Sequence, residues 1–449
     1  MKKQLSLILL TYFRLSARIQ LAKIKLLQKL HGQKLTIIGV TGSTGKTSTI
    51  QVIKAALSPN FSLKSTTGSN SEYGIPLNIL NIKVTGFSAL NYLKYVLLTP
   101  IKLLTSWQSF QIYLVEMGID GPKEPQNMSY LLKIIKPDIG IVLNVNPVHS
   151  QYFDNTISKN IKDKQRLHQI LLNIAIEKAK LINSLPSTAL AIINGDDTSV
   201  MSTTQITLAP KLIFSHLSGF NLQLLSSSVN QQGSVFNFKY QNKSFSINFP
   251  QFVLPDSFQT SLASAFLVST HLGISPKKII NNIEKHLSLP AGRSNILKGI
   301  NHSQIIDSTY NSSPYATQQM LQVLSQFPSP KISVLGDMRE LGLQSSQAHK
   351  DLYSQAQKFS DQIISIGPET KKYFGDKSKK FDNWWSAADY LTKNIPQNST
   401  ILVKGSQNTI FLEELVKQIL ANPDDSSQLC RQSPHWLKIK NKFRNSIPN

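Results

Sequence analysis

Between Leu35 and Leu57 the chain passes from an apolar run, through glycines, into a helical pattern, and this order restricts the fold more than any other feature. Leu35–Val40 reads as a buried strand, Thr41–Lys46 as a tight loop and Thr47–Leu57 as a helix. In Gly42-Ser43-Thr44-Gly45-Lys46-Thr47 the backbone N–H groups and the helix N-terminus can wrap a phosphate. Lys46 can offset its charge and the Thr47 hydroxyl can ligate Mg²⁺. Ser48 follows in the first helical turn and joins the expected nucleotide contacts. The form is short, because Val40 stands where the standard P-loop has its first glycine. The alternative is a chance glycine-rich turn, and the strand before it and the helix after it argue against that. ATP and Mg²⁺ are therefore the expected ligands.

Further strands are expected at Ile112–Val115, Ile139–Leu143 and Leu190–Ile193, with helical stretches between some of them. Short strands with polar turns follow at Ser234–Tyr240 and Phe245–Phe249, then a helix near 257–272. From Arg293 onward strands at Gln304–Asp307, Ile332–Gly336, Gln362–Ile366 and Thr400–Val403 again alternate with helices. The expected class is α/β: a central P-loop ATPase domain with a mostly parallel sheet, plus a C-terminal Rossmann-like α/β domain. The expected division is a basic amphipathic helix over 1–34, an ATP-binding domain over 35–292, a C-terminal domain over 293–422 and a basic tail over 423–449.

A formal net charge of +23, from 48 Lys and Arg against 25 Asp and Glu, implies an anionic partner. Zinc-finger spacing and RNA-binding aromatic signatures are absent from the sequence, so nucleic acid is not expected. The single cysteine, Cys430, excludes an intrachain disulfide and a cysteine-based metal site, and fits a reducing cytoplasm. No uncharged run approaches the length that spans a bilayer. Residues 5–30 mix apolar positions (Leu9, Phe13, Ile19, Leu26) with Arg14, Arg18, Lys23, Lys25 and Lys29. They predict a helix that either packs on the next domain or lies on an anionic membrane surface. Residues 81–110, apolar and aromatic, predict a helical insertion packed on the domain, with a membrane- or substrate-facing role as the alternative.

Several further segments, taken in order, carry a resemblance. Thr41–Thr47 is similar to the nucleotide loop of the Mur ligases, the ATP-dependent amide-forming enzymes of peptidoglycan synthesis. The likeness runs from about residue 36 to about 415, closest to the branch that adds D-alanyl-D-alanine to a UDP-muramoyl tripeptide. Asn70-Ser71-Glu72-Tyr73-Gly74-Ile75-Pro76 resembles the family's Asn-rich, Gly-x-Pro segment and implies a substrate role for Asn70. Glu116, in Val115-Glu116-Met117-Gly118, falls at the family's Mg²⁺-binding carboxylate; on its own it reads as a solvated strand-end acid. His149, after Asn144-Val145-Asn146-Pro147-Val148, falls at a histidine that helps hold a second Mg²⁺; a lone histidine there would otherwise be structural. Lys178 falls at a lysine that is carbamylated in the family and bridges metal ions, with Lys180 where a Glu is usual. Without the family, Lys178 reads as one lysine of an exposed basic helix.

Pro290-Ala291-Gly292-Arg293 resembles the junction whose arginine reaches the γ-phosphate, a task suited to a permanently charged fork. The segment from Asp307 to Pro314 is similar to one that contacts the nucleotide, which implies roles for Asp307, Tyr310 and Asn311. Leu335–Gly342, with Asp337 and Glu340, and Val403–Ser406, with Lys404 and Ser406, resemble motifs of the domain that takes the amine. Gln407 stands where the family has Arg, which leaves the amine open.

The resemblance implies an ADP-forming carboxylate–amine ligase, with Lys46, His149, Lys178 and Arg293 as its catalytic set. An acyl phosphate would form on a muramoyl-peptide carboxylate, and an amino acid or a dipeptide such as D-alanyl-D-alanine would then displace phosphate. Only about 35 residues precede the loop, too few for the domain that grips the UDP-sugar in this branch, so a lipid-linked or membrane-proximal acceptor is expected. The other readings are a ligase acting on a different carboxylate and a non-catalytic ATP-binding scaffold at the membrane. The expected place is the cytoplasm, extending to the inner face of the membrane.

Overall fold

The computed structural model describes residues 2–66, 69–86, 88–147, 150–158, 161, 163–250, 252–406 and 410–446. The chain forms two compact units. Unit 1 comprises Met1–Leu225, Phe238–Phe245 and Gln259–Leu287; unit 2 comprises Ser226–Asn237, Ser246–Phe258 and Ser288–Asn449.

The first sheet holds β1 (Thr36–Thr41), β2 (Leu63–Ser65), β3 (Ile112–Glu116), β4 (Ile139–Val142), β5 (Leu190–Asn194), β6 (Lys211–Ser215), β7 (Leu222–Asn230), β8 (Gly233–Tyr240) and β9 (Lys243–Phe249). Its order is β2-β3-β1-β4-β5-β6-β7-β8-β9, and every pair from β2 to β7 is parallel. β3, β4 and β5 are buried along their whole length, and β1 from Ile37 onward, which explains their apolar sequences: helices cover both faces. Two-residue turns join β7 to β8 and β8 to β9, and Gln241 and Asn242 take the positive φ that such turns require. Ile38 pairs with both Leu114 and Ile139, and Val40 with Glu116, so the carboxyl ends of β1, β3 and β4 finish side by side. In an open parallel sheet this is the edge where ligands bind.

The helices accompanying this sheet are α1 (Lys2–Leu30), α2 (Lys46–Leu57), α3 (Gly74–Ile79), α4 (Ala89–Thr105), α5 (Met128–Ile134), α6 (Ser150–Asp154), α7 (Asp163–Asn183), α8 (Thr198–Thr203), α9 (Gln259–His271) and α10 (Pro276–His286). α2 is pinned by a hydroxyl pair, Thr49 Oγ1 and Ser261 Oγ at 2.9 Å, and by Asn282 Nδ2 donating to Ala56 O. α1 does pack on the domain. Leu10, Phe13, Ala17, Leu21 and Ile24 form its buried stripe, and Gln20 Nε2 donates to Ser106 O at 2.9 Å.

The second sheet, in unit 2, has the order β10-β11-β15-β12-β13-β14. Its strands are β10 (Asn295–Lys298), β11 (Gln304–Asp307), β12 (Lys331–Gly336), β13 (Gln362–Ile366), β14 (Ser378–Phe381) and β15 (Thr400–Lys404). Only β10 is antiparallel to its neighbour. α11 (Pro314–Ser325), α12 (Ser345–Phe359), α13 (Pro368–Tyr373), α14 (Trp384–Asn394), α15 (Leu412–Gln418) and α16 (Pro434–Ser446) complete the unit. The segment read from sequence as a basic tail is folded onto this unit. Trp436, Ile439 and Phe443 of α16 pack against its core, and Lys440 is buried.

Candidate active site

The phosphate loop leaves β1 at the centre of the first sheet. Gly45 caps α2 with φ +83°, a left-handed turn that swings the chain into the helix. No side chain caps the amide groups that start α2, so the positive end of the helix faces whatever the loop holds. A Cβ at Gly42 would stand 2.9 Å from Leu143 Cβ, so the loop can lie this close to β4 only with glycine there. The segment after β4 carries the loop. Thr44 N donates to Asn144 Oδ1 at 2.9 Å, Ser43 N to Asn144 O at 2.9 Å, and Ser43 Oγ to Asn146 O at 3.0 Å. Sequence reasoning had singled out this segment for His149, which lies outside the described residues, and gave no role to Asn144 or Asn146. The signal was present in two asparagines straight after a buried strand.

Thr47 and Glu116 meet beside the loop. Thr47 Oγ1 donates to Glu116 Oε2 at 3.0 Å, and Asn70 Nδ2 reaches Glu116 Oε1 at 3.4 Å. Glu116 N donates to Thr66 Oγ1 at 2.8 Å, and Gly118 N to Asn70 O at 3.2 Å, so the carboxylate is held from its backbone as well. Asn70, expected to touch substrate, thus lies against Glu116. A hydroxyl and a carboxylate converging at a phosphate loop are the hard oxygen donors that Mg²⁺ takes while keeping several waters, so the residues fit that ion. No cluster of three His, Cys, Asp or Glu occurs among the described residues.

Lys46 Nζ donates to Gly42 O at 2.9 Å and lies over the loop. Lys178 is buried on α7, and its amine is held well below the ordinary lysine value of 10.5, first by burial and then by the Lys46 charge. It is not a solvated helix lysine. Lys180, in place of the expected Glu, pairs with Glu177 at 2.6 Å, and Glu177 Oε1 accepts from Met128 N at the start of α5.

In unit 2 the Arg293 guanidinium lies 4.2 Å from the centre of the Tyr310 ring, and its Nε is buried without a hydrogen-bond partner. An orphaned guanidinium nitrogen suits an anion. Asp307, for which the resemblance implies a nucleotide contact, is fully buried. Its Oδ1 accepts from Thr309 N at 3.1 Å and Thr309 Oγ1 at 2.6 Å, and burial raises its carboxyl to about 6. It shapes the turn that presents Tyr310 and Asn311. Lys404 donates to Ser308 Oγ at 3.1 Å and Asn311 O at 3.0 Å. Burial, with the Arg293 charge second, lowers it to about 7.

Two family models match the chain: the Mur ligase middle domain over residues 40–252 and the Mur ligase, glutamate ligase domain over residues 292–407. The chain belongs to the Mur ligase family. It is 25% identical over 407 residues to the UDP-N-acetylmuramoyl-tripeptide–D-alanyl-D-alanine ligase of Rickettsia prowazekii, covering 87% of this chain and 79% of the relative. The Bacillus subtilis enzyme of the same name is 24% identical, over 90% of this chain and 80% of the relative. The crystal structure of the MurF ligase from Thermotoga maritima in complex with ADP aligns with a TM-score of 0.71 at 23% identity, covering 90% of this chain and 83% of that one.

In this Mur ligase the motif after β12 borders a cavity of about 450 Å³ lined by Asp337, Arg339, Glu340, Glu369, Asp382 and Phe443. Asp337 also caps α13: Thr370 N donates to Oδ1 at 2.8 Å and Glu369 N to Oδ2 at 3.2 Å, while burial raises its carboxyl. Ser406 Oγ accepts from Arg339 N at 3.1 Å, so it ties two loops together. His349 is buried and accepts from Met338 N at 3.0 Å through Nε2, which makes it a loop support. Gln407 lies outside the described residues.

Sequence reasoning missed Arg431. Its guanidinium forks onto Glu413, Nε to Oε1 at 2.8 Å and Nη2 to Oε2 at 2.9 Å. It also donates to Thr309 O at 2.8 Å and Tyr310 O at 3.0 Å. Lys440 adds bonds of 3.0 Å to Glu413 and 2.6 Å to Glu414. The C-terminal segment therefore holds the same turn as Arg293.

Proposed function

We propose that this Mur ligase joins the carboxylate of a UDP-linked muramoyl tripeptide to the amine of D-alanyl-D-alanine, with ATP converted to ADP and phosphate. The observation that carries it is the cluster at the loop: Lys46, Thr47 and Glu116 beside a buried, charge-depleted Lys178. Relatives named for those two substrates match over more than four-fifths of the chain, which supports the pair.

In the first step an acceptor carboxylate oxygen attacks the γ-phosphorus and ADP leaves. Lys46 offsets the charge that grows on the phosphoryl oxygens. Mg²⁺ held by Thr47 and Glu116 would supply further charge neutralisation. In the second step the amine nitrogen attacks the acyl carbon, loses a proton and expels phosphate. The cavity at Asp337 and Glu340 is our candidate for the amine. We extend the reading to carbamylation of Lys178. A neutral amine adds CO₂ by forming an N–C bond and releasing one proton, and burial keeps Lys178 in that form. A ¹³C resonance of a carbamate after ¹³C-bicarbonate addition, absent in Lys178→Ala, is the expected result.

The test of the reaction is phosphate release across a panel of muramoyl peptides crossed with D-alanyl-D-alanine and single amino acids. Release should need both partners and fall about 10³-fold or more in Lys46→Met. Release with no pair would end the ligase reading. Such substrates place the reaction in the cytoplasm. A second reading gives it a lipid-linked muramoyl peptide at the inner face of a membrane, and the apolar outward sides of α1 and α4 favour it.

A further inference from the structure

The outward side of α1 is apolar. Opposite the stripe that it buries, Ile8, Leu15, Ile19, Leu26 and Leu30 recur at helical spacing and are 49–72% exposed. α4 repeats the pattern: Leu90, Leu93, Leu97, Ile101 and Leu104, 53–79% exposed, lie opposite buried Tyr95 and Thr99. The two helices run side by side in the same direction. Tyr12 Oη donates to Val96 O at 3.2 Å near one end, and Lys23 Nζ to Leu103 O at 2.9 Å near the other. Phe13 and Tyr95 share one buried cluster. Each outward face is opposite that cluster, so both look the same way and form one surface. An apolar area of this extent on a folded domain calls for a partner.

Charge decides which partner. The first acidic residue of the sequence is Glu72 and the second is Glu116. Residues 1–115 hold fourteen Lys and Arg against that one acid. On α1, Arg14, Arg18, Lys25 and Lys29 follow one edge of the apolar stripe at helical spacing. A second copy docked on this face would set the two basic edges against each other. No described helix is long and apolar enough to cross a membrane, so the surface is not a pair of spans. Trp107, 69% exposed just beyond α4, carries Lys23 Nζ 3.8 Å from its ring centre, a pairing of amphipathic groups suited to the headgroup level.

We propose that the α1–α4 face lies flat on an anionic lipid bilayer. Its leucine and isoleucine side chains enter the acyl boundary, and Arg14, Arg18, Lys25 and Lys29 sit against lipid phosphates. This deepens the membrane-proximal reading of the acceptor and stands without the ligase reading.

The full chain is sedimented with vesicles of phosphatidylcholine alone or mixed with phosphatidylglycerol. Binding should be about tenfold or more tighter to the anionic vesicles and should weaken as salt rises. Arg14→Gln with Arg18→Gln should lose about tenfold or more of that binding, since each charge near the surface contributes about 1 kcal/mol. Ile19→Ser with Leu97→Ser should lose it through the apolar side, with an unchanged circular-dichroism melt showing that the variant is folded. Equal partition onto both vesicle types, or variants that bind like the parent, would overturn the proposal. So would self-association in the ultracentrifuge that the serine pair abolishes, which assigns the face to a second copy. Phosphate release with soluble substrates should not change in either variant, so failure of the lipid result and failure of the ligase reading are read separately.

Discussion

Both ends of the chain read as basic segments, and the structure treats them in opposite ways. α1 leaves Arg14, Arg18, Lys25 and Lys29 without an acid anywhere in the first 71 residues, and it shows apolar side chains outward. The C-terminal segment buries Arg431 and Lys440 against Glu413 and Glu414, with Glu413 fully enclosed. Positive charge alone therefore says nothing about the role of a segment. What decides is whether the docking surface supplies carboxylates and whether it excludes water. Where it does both, the basic residue becomes part of the fold; where it does neither, the charge remains available to another partner.

The largest effect expected from this contrast is at the C-terminal segment. Arg431→Met leaves the enclosed Glu413 with Lys440 as its partner and frees Thr309 O and Tyr310 O, and should cost about 3 kcal/mol. Urea unfolding followed by tryptophan fluorescence will report it, because Trp384, Trp385 and Trp436 all lie in unit 2. Adding Glu413→Leu should return much of the loss, since removing both charges removes the penalty. A buried lysine with no carboxylate hydrogen-bonded to it among the described residues sharpens the contrast. Lys404 donates to the neutral oxygens of Ser308 and Asn311, and burial lowers it to about 7, whereas an unfolded lysine stays near 10.5. Between those values the folded chain has shed a proton that the unfolded chain keeps, so stability should rise with pH by up to about 1.4 kcal/mol per unit. Below about 7 the term is flat. Lys404→Met should lose that alkaline rise when unfolding is measured at pH 7, 8 and 9. On the buried side of α1, Ile24→Val should cost about 0.5–1.5 kcal/mol. On the outward side Ile19→Ser should stay within about 0.5 kcal/mol in the same assay. A cost at Ile19 as large as that at Ile24 would show that the outward stripe serves the fold.

Most of the architecture was legible in the sequence because parallel strands buried on both faces are written as unbroken apolar runs. Ile112–Val115 and Ile139–Leu143 stand out against any neighbour, and the turn at Gly45 marks where a strand gives way to a helix. Lys46 and Thr47 were legible because a glycine loop joins such a run to the helix they open, and Glu116, at the end of another run, through the family resemblance. The supports of the site were not. Asn144 holds Thr44 across 100 residues and Asn70 meets Glu116 across 46, and no local pattern encodes those pairings. Burial was equally hidden. Lys178 and Arg431 sit in basic stretches that look solvated, and the acids or apolar walls that change their chemistry come from other elements. The one sign of the C-terminal clamp was Glu413-Glu414 opening α15 in an otherwise basic region.

The position of α1 in the chain has a consequence for how the protein is made. The buried stripe of α1 needs Leu77, Tyr95 and Tyr113, which leave the ribosome after it. At about 5–20 residues per second the roughly 80 residues between take on the order of 4–16 s. Through that interval α1 is apolar along two opposite sides and basic along an edge between them. The first surface it meets then competes with its own domain, before the phosphate loop has a sheet to stand on.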